Sequence, residues 1–96
     1  MSVYMIVEAK EVTDKNKYSE YIQKVPQTIA KFGGKYLARG GKVLTVAGDW
    51  NPPRLIIVKF ASMDNFQSWW NSSEYKLVAP LREQSAKTNA IVVEGL

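Results

Sequence analysis

From Val3 to Val12 the chain reads VYMIVEAKEV, an apolar run with β-branched residues that then alternates with charge. That is the pattern of a strand leaving a core. Asp14 follows as a candidate N-cap, and Tyr18, Tyr21, Ile22, Val25 and Ile29 fall at i, i+3, i+4, i+7 and i+11. This spacing predicts an amphipathic helix. Pro26 removes one amide donor from it and predicts a kink or a restart. Phe32 closes the apolar face, and Gly33 and Gly34 stop the helix, Gly33 as its C-terminal cap.

The segment KYLARG from Lys35 predicts a second strand, and KVLTVAGDW, with Val43, Leu44 and Val46, predicts a short return strand. NPP at 51–53 is a turn. RLIIVKF at 54–60 carries four consecutive apolar residues between punctuating positions and predicts a strand covered on both faces. Ser62 caps a second helix in which Phe66, Trp69 and Trp70 share a face. SSEYKLVAPLREQSAK is expected to continue in short helical pieces, with Pro80 starting one, and NAIVVEGL is the last strand.

The order is βαββαβ, which predicts an α+β ferredoxin-like plait: a four-stranded antiparallel sheet with two helices on one face. RLIIVKF and AIVVEG are apolar at both parities, yet the helices can cover only one side of the sheet. A second copy packed on the other side resolves the conflict, so a homodimer is expected.

Composition then narrows the chemistry. At 96 residues, 46% hydrophobic and 23% charged, the chain is expected to form a single domain over 1–96 with a thin core. There is no cysteine and no histidine. Ser/His/Asp and Cys/His nucleophilic systems, conventional zinc sites and histidine-ligated haem are therefore excluded, and no cofactor or metal is expected. Acid and base work would fall to carboxylates, tyrosines, lysines or water. The net charge of +4 is spread from Lys10 to Lys87 without a dense cluster, so a solvated surface is read rather than nucleic-acid binding. RLIIVKF also lacks the glycine and exposed aromatic pair of an RNA-binding sheet. No run reaches membrane-spanning length, and MSVYMIVEAKEV lacks the features of a signal peptide, so neither membrane association nor export is expected and the cytoplasm is the default location.

The stretch RGGKVLTVAGDW raises the question of what Gly40 and Gly41 are for. A phosphate cradle needs a glycine-rich loop that opens a helix, whereas this one lies between extended runs; a turn is the reading, one that leaves Arg39 room to enter a cavity. Arg39 and Arg82 are the leading ligand candidates, since two guanidiniums at one cavity mouth would grip a carboxylate or enolate, unless each pairs with Asp49 or Glu74 instead. Tyr18, Tyr21, Tyr36 and Tyr75 can orient a ligand or simply pack half-buried. Trp69 and Trp70 can line an aromatic site or fill the core. Asp49 is a base if buried and a turn residue otherwise.

Several stretches together, YMIVEAKEVTD, VP at 25–26, GGKYLARGG, GDWNPPRLIIVKF and WWNSSEYKLVAPLR, resemble the bacterial domain-of-unknown-function family thirteen-thirty over nearly the whole chain. The resemblance implies a dimeric α/β barrel in which two ferredoxin-like sheets pack face to face, and it implies no activity. The wider superfamily includes cofactor-free monooxygenases that surround an aromatic substrate with polar side chains and a tryptophan. Asn65 and Trp69, four apart on one helical face, are loosely similar to that arrangement. The expectation is a small dimeric protein binding an aromatic or carboxylate-bearing metabolite, with either cofactor-independent oxygenase-like or isomerase-like activity or a non-catalytic, regulatory role.

Overall fold

The computed structural model describes residues 1–96. Its elements are β1 (Val3–Val12), α1 (Lys15–Lys31), β2 (Lys35–Arg39), β3 (Leu55–Phe60), α2 (Met63–Trp70), α3 (Ser73–Glu83) and β4 (Ala86–Glu94). The strands form one antiparallel sheet in the order β2-β3-β1-β4, so the expected ferredoxin-like plait is observed, with three helices rather than two. Alternate residues Val3 and Met5 of β1 and Val58 and Phe60 of β3 point to the helices. They pack against Val25 and Ile29 of α1, Trp69 of α2, and Tyr75 and Val78 of α3. Period-two strand alternation and helical spacing thus converge on one layer.

The helices begin where short polar side chains meet orphan amides. Asp14 Oδ1 accepts from the Lys17 amide at 3.1 Å, and Ser62 and Ser72 do the same for Asn65 and Tyr75. Gly33, at φ +78°, takes the left-handed position that ends α1. Pro26 neither breaks nor restarts α1, which runs unbroken through it. Its missing N–H leaves the carbonyl of Ile22, four residues back, without a helical donor, and Arg39 Nη2 donates to that oxygen at 3.0 Å. Pro80 likewise lies inside one continuous α3 rather than starting a piece, held there by the burial of Tyr75 and Val78 on one face.

Two strand boundaries also differ from expectation. No return strand forms at 42–50: β2 pairs directly with β3, and the segment between them bonds instead to itself and to β1. Thr45 Oγ1 donates to the Trp50 carbonyl at 2.6 Å, and Trp50 Nε1 donates to the Glu8 carboxylate at 2.9 Å. Val43, Leu44 and Val46 remain exposed. β4 starts three residues before Asn89, because Ala86 and Lys87 extend the ladder with Val12 and Glu11 past an irregularity at Lys10.

The face away from the helices carries Tyr4, Ile6, Ile57, Ile91 and Val93, paired across the central strands. Ile91 and Val93 are 61% and 47% exposed, an apolar surface that nothing in the single chain covers. Pro26→Ala would restore the α1 hydrogen bond to Ile22 and compete with Arg39 for the same oxygen. It is expected to raise the free energy of urea unfolding by about 1–3 kcal/mol.

Candidate ligand cavity

Between α1 and the sheet lies a cavity of about 70 Å³ that opens to solvent. That is about half of the roughly 150 Å³ in which an apolar cavity takes up benzene, so a ring held here would extend through the open side. Met5, Val7, Ile56 and Val58 form its floor, and Tyr18, Tyr21, Ile22 and Val25 its roof. The wall is mostly apolar, as the core periodicity of these elements requires.

Its polar groups sit at one end of the sheet. Arg39, Arg54 and Arg82 are all the arginines in the chain, and all three line this cavity. No aspartate, glutamate or lysine lines it with them, and the three ion pairs of the protein all use lysine. Arg54 and Arg82 are part-buried and Arg39 is exposed, and cations drawn against an apolar wall without a carboxylate are held by dipoles. Arg39 is tied to the Ile22 carbonyl and lies over the Tyr36 ring, 4.9 Å from its centroid. Arg82 Nε donates to the Tyr75 hydroxyl at 3.3 Å, and its Nη1 donates to Thr88 Oγ1 at 3.0 Å. Arg54 Nε is buried and has no acceptor.

Gly40 accounts for the position of Arg54. A Cβ at Gly40 would stand 2.7 Å from the Arg54 guanidinium carbon, and the φ of +71° disfavours any side chain there. Gly41 meets nothing within 4 Å, so only the first of the paired glycines makes room, and it makes room for Arg54. β2 contributes a second device. Tyr36 and Arg39, three apart, would face opposite sides of a regular strand, but the register shifts between Tyr36 and Ala38. Tyr36 then pairs with Val58 and Arg39 with Ile56, which puts both in the cavity wall.

The tyrosines link the two sides. The hydroxyls of Tyr21 and Tyr75 lie 3.1 Å apart, and Tyr75 continues to Arg82. Burial, reinforced by Tyr75, pushes the Tyr21 phenol well above its ordinary value. Burial also raises Tyr36, partly opposed by Arg39 and Arg54. Burial works to lower the Arg82 pKa, but Tyr75 and Tyr21 outweigh it and keep it raised. Trp69, 1% exposed, closes the inner end and donates from Nε1 to Thr28 Oγ1 at 2.9 Å. Its ring packs on Phe60 and Tyr75, so it serves as core and cavity wall together.

Of the residues singled out in the sequence, Arg39, Arg82, Trp69, Tyr75, Tyr18 and Tyr36 are brought to this cavity. Asn65 is not among the lining residues; its amide and side chain are both engaged with Ser62 in the α2 cap. Asp49 is exposed in the segment after β2, and Glu74 pairs with Lys31 rather than with an arginine. Sequence reasoning passed over Arg54 and Thr88. The signal for Arg54 was its place next to the most apolar strand, downstream of a glycine that needed a reason. No cluster of three or more metal-ligating His, Cys, Asp or Glu side chains exists.

The chain belongs to the family defined by a domain of unknown function, DUF1330, whose model matches residues 2–96. No protein of curated function matches it. Among solved structures, it is similar to a dimeric ferredoxin-like protein of unknown function from Jannaschia sp. CCS1, at a TM-score of 0.79 and 9% identity over 99% of this chain and 100% of that one. It is similar to a protein of unknown function from Rhodopseudomonas palustris, at a TM-score of 0.78 and 16% identity over 99% and 82% of the two chains. It is also similar to SnoaB, a cofactor-independent oxygenase from Streptomyces nogalater, at a TM-score of 0.71 and 9% identity over 99% and 93%. Likeness at these identities establishes the fold and leaves the chemistry to the site.

The raised phenols set a pH dependence. Tyr21 and Tyr36 stay protonated in the folded state when the unfolded chain ionises near 10.0, so stability is full below that pH and falls above it. Denaturant titrations are expected to show a flat profile from neutrality to mildly alkaline pH. Above it, the loss should be about 1.4 kcal/mol per pH unit for each such phenol, and Tyr21→Phe should reduce that slope.

Proposed function

We propose that residues 1–96 act as one cytoplasmic domain that binds a small aromatic or carboxylate-bearing metabolite between sheet and helices. The observation that carries this reading is the set of three guanidiniums facing one apolar cavity with no carboxylate in its wall. An anionic group on the ligand supplies the missing countercharge through charge-assisted hydrogen bonds, while the ring buries against Val7, Ile56, Val25 and Trp69.

The wall favours retention of a ligand over its turnover. Its titratable groups are phenols and guanidiniums, and the shifted phenols are raised, so no side chain stands ready to take a proton at neutral pH. The oxygenase-like or isomerase-like alternative draws support from the likeness to SnoaB. In that case the arginines would stabilise the enolate left when the ligand gives its proton to water.

The uncovered face of the sheet supports a homodimer. Tyr4, Ile6, Ile57, Ile91 and Val93 would meet the same residues of a second copy in an isologous, face-to-face contact, and a structural neighbour is dimeric.

A thermal-shift screen of aromatic acids against neutral aromatics tests the cavity. Aromatic acids are expected to raise the melting temperature, and Arg39→Leu to weaken the best of them by about ten- to a hundredfold. Failure of every acid to shift the transition removes this reading. Sedimentation equilibrium should give a dimer for the wild type, and Ile91→Glu should shift it to monomer.

A further inference from the structure

The three guanidiniums stand as two poles with a gap between them. On the β2–β3 side, Arg39 stacks over Tyr36 and Arg54 lies against the Gly40 backbone. On the β4 side, Arg82 is fastened to Thr88 and Tyr75. β1 runs between them, and its Ala9 links the two: the Ala9 amide donates to the Arg54 carbonyl, and Ala9 pairs across the other ladder with Thr88. Along the backbone, Arg54 and Thr88 are therefore two inter-strand steps apart, about 10 Å, and Arg39, which pairs with Ile56, lies a third step across and two residues along, about 16 Å from Thr88. Ala9 is buried, and its side chain is a single methyl.

Each pole keeps unused donors. Arg54 Nε has no acceptor although it is buried, a condition that costs about 1–3 kcal/mol until an acceptor arrives. Arg39 bonds Ile22 through Nη2 alone, which leaves Nε and Nη1. Arg82 uses Nε and one proton of Nη1, leaving Nη2. Between the poles lie apolar Val7, Ile56 and Ala90 below and the Tyr21–Tyr75 hydroxyl pair above. The cavity opens to solvent between the poles, and each pole suits an anion.

We infer that the ligand is a dianion, a single planar ring bearing carboxylates at opposite ends, one taken by Arg39 and Arg54 and the other by Arg82. This rests on the cavity-binding reading above and adds to it the number and spacing of the charges. A ligand with one carboxylate would leave one pole unpaired, and one with adjacent carboxylates could not span both.

Isothermal titration of the purified full-length chain with benzoate, benzene-1,2-dicarboxylate and benzene-1,4-dicarboxylate tests it. The 1,4-diacid is expected to bind at least tenfold more tightly than either of the others. Arg82→Gln should bring it down to the level at which benzoate binds the wild type, one charged contact being worth a factor of this order. Benzoate binding as tightly as the 1,4-diacid to the wild type overturns the two-pole assignment and leaves the cavity reading standing. Absence of binding by all three overturns the two-pole assignment as well, and the broader acid screen then decides the cavity reading separately. The wild-type comparison needs no variant, so a misfolded Arg82→Gln protein would not spare the inference; Arg39→Gln, at an exposed position, probes the other pole with the same readout.

Discussion

Three cations at an apolar cavity, two of them part-buried, with no carboxylate among the lining residues, set the condition to which the surrounding structure answers. A guanidinium leaving water loses favourable solvation, and in a low-dielectric wall that loss must be met by dipoles or by a ligand. Here the dipoles are a helix carbonyl, two hydroxyls and an aromatic face, the carbonyl and the aromatic face each supplied by a local departure from regular structure. Pro26 frees the carbonyl for Arg39, Gly40 clears the space for Arg54, and a register shift in β2 turns Tyr36 and Arg39 to the same side. Taken singly these look like defects in a helix, a turn and a strand. Together they place positive charge at a cavity wall that no carboxylate lines.

The two faces of the sheet divide the protein's work. The helix side combines packing and site, and Trp69 and Tyr75 belong to both: each is buried, and each forms part of the cavity wall. A cavity built this way is small, because the side chains that shape it are the same ones that stabilise the fold. The opposite side is apolar and uncovered, and the 41–54 segment is anchored there through Trp50 and Glu8. A thin core with an uncovered second face is the condition in which association adds stability that the single chain cannot supply.

Much of the plait was legible from residue order alone. Strand alternation in VYMIVEAKEV and RLIIVKF, the Tyr18 to Ile29 stripe, and the Asp14 and Ser62 caps are local signals whose physics acts within a few residues, and the elements they mark formed where the pattern placed them. Reading failed where the outcome depended on what lay across the fold. KVLTVAGDW has strand-forming residues, but β3 already occupies the place beside β2. Pro80 and Pro26 discourage a helix locally, and burial of the residues around them overrides that preference. Asn65 shares a helical face with Trp69, yet its side chain was already used by the cap.

By itself, then, the chain's pattern determined the elements, their order, the aromatic inner layer and the exclusion of histidine and cysteine chemistry, because these follow from composition and short-range periodicity. Only the tertiary structure decided that Arg39, Arg54 and Arg82 share one cavity. They stand on three different elements or flanks, Arg39 and Arg54 separated by the loop after β2 and Arg82 from both by β3 and α2, and their approach depends on strand order and on a one-residue register shift. A carbonyl orphaned by Pro26 becomes an anchor for Arg39 only when β2 lies beneath α1. That relation exists in space and has no counterpart in residue spacing.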